Sequence, residues 1–466
     1  MRIIADLQIH SKYSRACSQN LVPGNIGIWA DKKGINVIGT GDFTHPLWLK
    51  ELKENLEETK PGLYQLRGLP RTGAAATGAR AYFMLTAEVS SIYKQGDPSA
   101  PLGAGKVRRV HNMILAPNFA AADRIITGLE KVGANLKSDG RPIMGIKCPD
   151  LVKIVKDADE NAEIIPAHAW TPHFGLFGSL SGFDSVEEAF GDQAKHIFAI
   201  ETGLSSDPKM NWQISALDKY ALVSNSDAHS LRKLGREANV FEIDESKLSY
   251  GTVIQCIKDK NPKTFLHTLE FFPEEGKYHL DGHADCKFSC LPKETKKLKG
   301  ICPKCGKKLL VGVLNRIDAL ADRKHGFEPK RAIPFKSVIP LEEIIAETYG
   351  VGVASAKVQR MYEAMVSNPY QPPLVPRGGA AAEEPPLRIR GGGGELERTE
   401  FSILLDWPKE EIAKISDPLI AESVIRVREG RVQLEGGYDG IFGKIHIYAE
   451  AERKKLFKKS EQVGLF

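Results

Sequence analysis

The sequence predicts an α/β protein with a seven-stranded β/α barrel, a small four-cysteine module and a C-terminal region of helices and strands. Three observations support this fold class. Short β-type runs alternate with amphipathic stretches up to about residue 245, which is typical of parallel strands joined by helices. Four cysteines crowd into residues 286–305, and a Pro-, Gly- and Ala-rich stretch precedes the last ordered segment.

Each predicted barrel strand is a short apolar or β-branched run bounded by turn residues. The seven runs are residues 2–10, 35–40, 82–89, 110–116, 162–168, 197–202 and 220–226. Amphipathic segments between them, such as residues 26–34 and 121–132, are predicted as helices. Seven strand–helix steps over about 245 residues suit a closed barrel better than a small open sheet.

Three regions follow from these patterns. We assign residues 1–245 to the barrel, 246–330 to a zinc-binding module and 331–466 to the C-terminal helical and β region. Residues 70–80 read as an exposed insertion. Residues 368–398 lack apolar periodicity and are predicted to be a flexible linker.

Composition excludes several protein classes. The 466 residues are 42% hydrophobic and 26% charged, which is typical of a chain with a substantial core and not of a disordered one. The net charge of +5 is too small to identify a nucleic-acid partner. No apolar run reaches the roughly 18 residues of a membrane span, and Asp6 interrupts the N-terminus too early for a signal peptide. Seven cysteines, an odd number, favour metal binding in a reducing compartment, so we expect a cytoplasmic protein. Nothing in the sequence demands an oligomer, so we expect a monomer.

Side chains that bind metals recur at the predicted strand ends. They are His10, Asp42, Glu88, His111, His168, Glu201, Asp227 and His229. The carboxyl ends of barrel strands converge on one face, where such folds place their active sites. Mixed His, Asp and Glu ligands suit Zn²⁺, Mn²⁺ or Fe²⁺, and a bridging carboxylate allows two or three ions to lie close together. Any one of these residues alone would be interpreted as an isolated core or surface side chain. Their recurrence at successive strand ends favours one shared metal centre.

These motifs resemble those of the polymerase-and-histidinol-phosphatase (PHP) phosphoesterases. The matching segments are DLQIH (6–10), GTGD (39–42), TAE (86–88), the strand of His111, PAH (166–168) and SDAH (226–229). The resemblance implies a distorted seven-stranded β/α barrel with two or three divalent ions (Zn²⁺, Mg²⁺ or Mn²⁺) for phosphate-ester hydrolysis. It also implies three ligand sets: His10, Glu88 and Asp227; Glu88, His111 and His168, with Glu88 bridging; and Asp42 with His229.

Two positions depart from the PHP pattern. The first motif of that family is usually His-x-His, and here Gln8 replaces the first histidine. Its amide oxygen can bind a metal ion but is neutral and weaker than imidazole. Asp42 stands where many relatives carry histidine. The departures affect the first and third metal positions, whereas the second matches the family.

The four crowded cysteines predict a structural zinc site. Cys286, Cys290, Cys302 and Cys305 give the ligand number of a closed tetrahedral site. CPKCG, residues 302–306, is a tight knuckle whose glycine permits the turn. His279 or His283 could replace one cysteine, although the four-cysteine set is the simpler prediction. The lysine-rich flanks suit phosphate contacts, or they form a solvated face.

Further segments narrow the resemblance to the endonuclease Q family. They are SKYSRA (11–16), PAHAWTPHFGLFG (166–178), ETGLSSDPKMNW (201–212), SNSDAHS (224–230), KYHLDGHADC (277–286) and GYDGIFG (437–443). The resemblance implies a metal-dependent DNA repair endonuclease. Such an enzyme cuts on the 5′ side of deaminated bases (hypoxanthine, uracil, xanthine) and of abasic sites, leaving a 3′-hydroxyl and a 5′-phosphate.

Residue roles follow from that resemblance. Glu88 would fix two ions, and Asp227 and His229 would orient the nucleophile as catalytic residues. An enzyme that reads a damaged base usually extrudes it into an apolar pocket with a few polar groups. Candidates for that pocket are Trp170, Phe174, Phe177, Glu201, Asn211 and Trp212. The aromatic residues could equally pack the loop, and backbone N–H donors could replace Asn211.

The last five residues, QVGLF (462–466), match the Gln-x-x-Leu-Phe pattern by which bacterial proteins bind the sliding clamp. Only three positions are fixed, so a chance match is the alternative. Two other functions stay open. One is a PHP-family small-molecule phosphatase, which would have no use for the zinc module. The other is a non-catalytic DNA- or clamp-binding protein in which Gln8 marks a lost metal site.

Overall fold

A computed structural model describes residues 1–68, 80–96, 105–366 and 398–453. Three predictions fall on the gaps between these ranges. The insertion at 70–80 lies outside the described residues except for Arg80, and the linker at 368–398 lies outside them except for Arg398. The clamp-like tail at 462–466 lies entirely outside them.

The described residues contain seventeen strands. They are β1 Arg2–Asp6, β2 Val37–Gly39, β3 Leu56–Lys60, β4 Leu63–Leu66, β5 Tyr82–Gly96, β6 Gly105–Ala116, β7 Ile143–Met144, β8 Glu163–Pro166, β9 Ala199–Glu201, β10 Ala221–Val223, β11 Ala238–Glu242, β12 Phe265–Glu270, β13 Asp281–His283, β14 Phe288–Cys290, β15 Phe335–Ser337, β16 Gln433–Glu435 and β17 Lys444–His446.

The described residues also contain fourteen α-helices. They are α1 Pro23–Lys33, α2 Pro46–Asn55, α3 Phe119–Lys131, α4 Cys148–Ala158, α5 Val186–Phe190, α6 Pro208–Asn211, α7 Tyr250–Asp259, α8 Pro292–Lys297, α9 Val313–Leu320, α10 Leu341–Tyr349, α11 Ala356–Val366, α12 Glu400–Leu405, α13 Lys409–Ile415 and α14 Pro418–Arg428. In the part of the chain that the structure describes, none of these helices has the length and apolar character needed to cross a membrane.

Each of the seven predicted runs contains a strand, but most strands are shorter than the run. β1 shows the physical reason. Its ladder stops at Asp6, whose carboxylate accepts hydrogen bonds from the backbone N–H groups of Ser226 (3.0 Å) and Gly235 (2.9 Å). The next residue, Leu7, donates its backbone N–H to the side chain of Asn225. Near the carboxyl end of β1, hydrogen bonds between side chains and the backbone thus replace the backbone hydrogen bonds of the ladder.

The main sheet is mixed, which corrects the prediction of parallel pairing throughout. β1 pairs parallel with β2, β2 with β5, and β9 with β10. However, β6 runs antiparallel to both β5 and β8, and β1 is antiparallel to β11. The periodicity of a strand does not encode the direction of its neighbour, and two long strands that follow each other along the chain pair most simply as a hairpin.

A closed seven-stranded barrel is not confirmed, because the ladder is interrupted at two places. Beyond β8, the link to β9 is a hydrogen bond from Ala169 N–H to the Glu201 carbonyl (3.0 Å). Beyond β10, the link to β1 consists of an isolated bridge between Ile9 and Ala228 and of the Asp227 N–H bond to the Gln8 carbonyl (3.0 Å). Both links lie where the predicted metal ligands occur.

Two apolar cores flank the sheet, as the strand period of two requires. Ile4 of β1 packs into one core, whereas Ile3 and Ala5 pack into the other. The larger core continues into the C-terminal helices. There a buried ion pair joins Lys33 of α1 to Glu400 of α12 (2.6 Å).

The sheet extends past residue 245, since β12 pairs with β11 and with β15. The cysteine-rich segment follows as the β13–β14 hairpin with α8 and α9. Helices α10 to α14 and the β16–β17 hairpin form the C-terminal part of the described chain. A mixed α/β fold with a helical and β C-terminal region therefore agrees with the sequence.

Candidate metal centre

The predicted ligands converge at the carboxyl ends of the central strands. Three residues that follow strands adopt left-handed backbone conformations that favour glycine: Asp42 (φ 49°), His168 (φ 29°) and Asp227 (φ 47°). Such conformations persist only where the surroundings enforce them, and they concentrate at functional sites. The backbone therefore turns sharply at these three residues, close to the carboxyl ends of the strands.

The first cluster consists of Glu88, His111 and His168, all buried. Glu88 Oε1 contacts His111 Nδ1 and lies 3.4 Å from His168 Nε2. The two imidazoles face each other, with His111 Nδ1 and His168 Nε2 3.0 Å apart. One carboxylate oxygen and two imidazole nitrogens within this radius can hold a divalent transition metal or zinc ion.

The second cluster consists of His10, Asp227 and His229. His10 Nε2 lies 2.9 Å from Asp227 Oδ1, and His229 Nδ1 lies 3.8 Å from the same oxygen. Asp227 and His229 are half-buried, so this cluster reaches solvent while His10 is fully enclosed. This is the more open of the two clusters.

Glu88 connects the clusters. Its Oε1 faces His111 and His168, while its Oε2 lies 3.2 Å from His10 Nε2. Each oxygen therefore points at a different set of histidines. A carboxylate in this position would be able to bridge two cations.

The carboxylates of the centre are ionised despite their burial. Burial opposes ionisation of Glu88, but the neighbouring His111 and Arg141 outweigh it and hold the pKa of Glu88 well below its usual range. Burial likewise opposes ionisation of Asp227, and the hydrogen bond with His10 lowers its pKa to about 2. For His168, burial is outweighed by the bond to Glu88, so its pKa rises to about 9. Buried carboxylate anions need positive charge nearby, and bound metal ions often provide that charge.

Gln8 offers one further ligand atom. Its Nε2 donates to Glu88 Oε2 (2.9 Å), and its Oε1 is buried without a hydrogen-bond partner in the described residues. A buried acceptor that lacks a partner is costly. An amide oxygen in this position fits a cation as a ligand, so the donor set suits the metal ions that the sequence predicts.

Asp42 lies behind His10 and not beside His229. Its Oδ1 is 3.1 Å from His10 Nδ1, and its Oδ2 accepts bonds from the Ser11 N–H (2.7 Å), the Ser11 hydroxyl (2.7 Å) and the Ser14 hydroxyl (2.8 Å). These bonds orient the imidazole, as outer carboxylates do for metal-bound histidines. Asp42 and His229 share no cluster among the described residues, so their joint assignment to a third ion stays a prediction.

Arg141 is a site residue that the sequence analysis missed. Its guanidinium lies 3.7 Å from Glu88 Oε1, and 24% of its side chain is exposed. It therefore places a positive charge at the mouth of the centre. The residue lies in a loop before β7 with no motif around it, so no pattern in the sequence signals it.

Most residues predicted to bind substrate are engaged inside the protein. The Trp170 indole donates to Asn211 Oδ1 (2.8 Å), and the Asn211 amide donates to the Ser206 hydroxyl (3.1 Å) and the Asp207 carbonyl (2.8 Å). Trp170 and Phe177 are buried with ring centroids 4.8 Å apart. In this conformation these residues pack the loop after His168.

The remaining three differ in position. Trp212 is buried and its ring meets Phe335 edge-on at 6.0 Å. Glu201 is also buried, and its carboxylate accepts the backbone N–H of His168 (2.7 Å), which holds that residue in place. Phe174 is half-buried, and its ring lies 4.4 Å from that of His111. Of the predicted pocket aromatics, Phe174 is the one that borders the metal centre.

The zinc-type cluster contains a histidine in place of one predicted cysteine. His283, Cys286, Cys302 and Cys305 bring their ligand atoms within 4.8 Å of one another. Cys290 lies outside this set, and His283 is one of the two histidines that the sequence offered as a replacement for a cysteine. Its side chain is buried, and its sulfur contacts the Thr295 hydroxyl at 3.2 Å. The His283-x₂-Cys286 spacing repeats that of Cys302-x₂-Cys305, a signal that favours His283 over His279 as the replacement.

The cysteine module is attached to the rim of the metal centre. Arg316 of α9 donates to the carbonyls of Phe177 (2.9 Å) and Phe183 (2.8 Å). The Ser179 hydroxyl donates to the Val311 carbonyl (3.1 Å). The loop that follows His168 is therefore held directly against this module, and the two form one continuous surface.

Comparisons with known proteins place the chain among related sequences. No protein-family model matches it. It is similar to an uncharacterized protein of Methanocaldococcus jannaschii, 30% identical over 280 residues, which cover 60% of this chain and 31% of that protein. It is also similar to the uncharacterized protein YqxK of Bacillus subtilis, 25% identical over 453 residues that cover 95% of this chain and 99% of that protein. The chain thus spans about a third of the first relative and nearly all of the second.

Two solved structures are similar over almost their whole length. One is the lesion-specific endonuclease PfuEndoQ from Pyrococcus furiosus, with a TM-score of 0.77, 28% identity and coverage of 97% of this chain and 96% of that one. The other is endonuclease Q in complex with a 27-mer duplex substrate that has an abasic lesion at the active site. It has a TM-score of 0.76, 29% identity and coverage of 97% and 98%.

Proposed function

Because this chain belongs to the endonuclease Q family, we propose that it is a DNA repair endonuclease with a multinuclear metal centre. Its proposed reaction is hydrolysis of the phosphodiester bond on the 5′ side of deaminated bases (hypoxanthine, uracil or xanthine) and of abasic sites. One observation carries the proposal. The Glu88-bridged clusters occur in a chain that resembles, over 97% of its length, a structure bound to an abasic duplex.

The ligand sets are proposed from the contacts described above. His111 and His168 with Glu88 Oε1 would hold one divalent ion, and His10, Asp227 and His229 with Glu88 Oε2 would hold another. When bound, such ions supply hydroxide near neutral pH and neutralise charge on a phosphate in its transition state. Zn²⁺, Mg²⁺ and Mn²⁺ are all candidates. The unpartnered Gln8 Oε1 and the ionised carboxylates support the fit.

The chain's own residues have the task of positioning. Asp42 and the two serine hydroxyls around it keep His10 turned toward Asp227. Thr171 Oγ1 lies 3.1 Å from His168 Nδ1 and fixes that ring in the same way. Outer hydrogen bonds of this type make metal-bound histidines better ligands. Arg141, at the mouth, is suited to contact a phosphate oxygen of the scissile bond.

Lesion recognition is proposed for the surface beside His111. Phe174 presents an aromatic ring there, onto which an extruded base could stack. Hypoxanthine and uracil carry a carbonyl where adenine and cytosine carry an amine, so a hydrogen-bond donor is needed for discrimination. Asn211 has its amide committed to Ser206 and Asp207, which favours backbone N–H groups as the donors.

The sliding clamp is a second proposed partner. This proposal depends on the QVGLF sequence at residues 462–466 alone. A repair nuclease that binds the clamp would be held near DNA as it is replicated. Pull-down with and without these five residues tests it independently of the nuclease activity.

The proposed activity is tested by incision of labelled duplexes of one sequence. Each contains a single uracil, hypoxanthine, xanthine or abasic site, with an undamaged duplex as control, in Mg²⁺, Mn²⁺ or Zn²⁺. Asp227→Asn serves as the inactive variant, and Asp150→Asn, an exposed aspartate of α4, as its matched control.

Incision immediately 5′ to the lesion, lost in Asp227→Asn and kept in Asp150→Asn, is the expected result. Equal cutting of damaged and undamaged duplexes would make the protein a general nuclease. Hydrolysis of small phosphate esters without DNA incision would make it a phosphatase. A chain that binds DNA but hydrolyses neither substrate would be a binding protein.

A further inference from the structure

The hairpin of β16 and β17 exposes two large apolar side chains next to each other. Phe442 has 62% of its surface exposed and Ile441 has 39%. Among the large hydrophobic residues in the described ranges, Phe442 is the most exposed. The metal centre and the cysteine module use neither residue. Exposed apolar side chains that lie side by side can mark a contact site for another molecule.

The backbone that holds this pair is a tight turn. Tyr438 and Ile441 exchange both backbone hydrogen bonds, at 3.0 and 2.8 Å. Between them, Asp439 (φ 43°) and Gly440 (φ 86°) are both left-handed, which is the geometry of a two-residue hairpin turn. The apolar side chains therefore lie at a hairpin tip of defined conformation.

The tip is also fastened to the rest of the protein. The Leu280 N–H donates to the Gly437 carbonyl (2.9 Å), and the Gly437 N–H donates to the Glu274 carbonyl (2.8 Å). At Gly443, a Cβ would lie only 2.1 Å from the Glu274 carbonyl oxygen, so the two backbones touch. The tip is thus a rigid support, and its exposed side chains need little further ordering to bind a partner.

Positive charge surrounds the apolar pair. The ammonium group of Lys277 lies 4.5 Å from the centroid of the Phe442 ring, and Lys444 is exposed two residues after it. The adjacent cysteine module exposes eight more lysines: Lys287, Lys293, Lys296, Lys297, Lys299, Lys304, Lys307 and Lys308. Lysines around an exposed apolar pair are suited to DNA with an opened base stack, because its phosphates are negatively charged and its exposed base faces are apolar.

The tip is linked to the metal centre by successive contacts. Tyr278, next to Lys277, has its ring 6.5 Å from that of His173. The next residue, Phe174, lies against His111 of the first metal cluster. Contacts through Lys277, Tyr278 and Phe174 therefore connect Phe442 with the edge of the metal centre.

We propose that Phe442, supported by Ile441, inserts into the DNA duplex beside the lesion and fills the gap left by the extruded nucleotide. This inference rests on the proposed function. Extrusion of a nucleotide removes its stacking contacts, and apolar wedges that enter a base step are a known means of offsetting that cost. An aromatic ring on a rigid tip, flanked by lysines for the phosphates, has the required chemistry.

The test compares single-turnover incision of two substrates. In the first, uracil is paired within a duplex. In the second, uracil lies in an unpaired bubble, where little stacking has to be broken. Phe442→Ala should slow incision of the paired substrate about tenfold or more, the order expected for one lost base–aromatic stack. It should leave the bubble substrate within about twofold, and Phe442→Trp should retain the native rate on both. Leu291→Ala, which removes an exposed apolar side chain elsewhere on the module (59% exposed), is the control.

Three results would overturn the inference while leaving the proposed function intact. The first is an unchanged rate for Phe442→Ala on the paired substrate. The second is an equal loss on both substrates, which would mean a general binding contact. The third is a native dimer that Phe442→Ala converts to a monomer in light scattering, which would assign the tip to a second copy of the chain. If the native protein incises neither substrate, the proposed function fails and the inference fails with it.

Discussion

We propose that the cluster of His283, Cys286, Cys302 and Cys305 holds a structural zinc ion. Replacing His283 with alanine should then weaken zinc binding, whereas replacing Cys290 with serine should not. A structural zinc site contributes roughly 10–16 kcal/mol of binding free energy, so equal division among four ligands assigns about 3 kcal/mol to each, roughly a hundredfold in affinity. His283 belongs to the cluster and Cys290 does not. A serine at position 290 keeps a polar atom near the Thr295 hydroxyl, so we expect a loss of about 1 kcal/mol in folding stability and no loss of zinc.

Zinc affinity is measured by competition with a chelator of known affinity, and zinc content by atomic emission. Asp285→Asn, an exposed acid next to Cys286, is the matched control. Substitution by Co²⁺ gives a second readout, because thiolate-to-metal charge-transfer absorption increases with the number of thiolates. Native protein and Cys290→Ser should give the same spectrum. Zinc loss in Cys290→Ser, with native affinity in His283→Ala, would refute the assignment.

Three further predictions concern the metal centre and stability. Asp42→Asn should weaken metal binding and slow incision about 10–100-fold, because His10 loses its orienting carboxylate; isothermal titration with Mn²⁺ and incision rates measure both. Lys33→Met should destabilise the fold by about 3–5 kcal/mol in urea unfolding, because the buried Glu400 keeps the Leu341 N–H and Tyr362 hydroxyl as donors but loses its cation. Burial raises the pKa of Glu270 to about 8, so the folded chain keeps a proton that the unfolded chain releases, and stability falls as the pH rises from about 4.5 to 8. Glu270→Gln should make that decline in stability smaller. Urea unfolding at about pH 4.5 and pH 8 measures it, and an equal decline in the native protein and in Glu270→Gln would contradict the reasoning.

The positions of the strands could be predicted because apolar runs bounded by turn residues persist in the fold. Their lengths could not, since the ladders end where polar side chains such as Asp6 capture backbone groups of distant residues. The antiparallel direction of β6 could not be predicted either. Pairing direction depends on which strands become neighbours, and that information is not local.

The convergence of the candidate metal ligands could be predicted because histidines and acids at strand ends meet in space. Arg141 could not, because its contact with Glu88 depends on a loop without a motif. Burial explains the other differences. Trp170, in the loop after His168, and Asn211, at the end of α6, are residue types that suggest a binding role, yet they are buried and hydrogen-bond to each other.

The most direct test of the central claim is single-turnover incision of a duplex with one hypoxanthine, with native protein and Glu88→Gln compared. Glu54→Gln, an exposed glutamate of α2, is the control. Native protein and Glu54→Gln should cut only on the 5′ side of the lesion and leave a 3′-hydroxyl. Glu88→Gln should lose at least a hundredfold in rate, because the amide cannot bridge two cations. Native-like incision by Glu88→Gln, or equal cutting of the undamaged duplex, would contradict a lesion-specific enzyme built around this carboxylate.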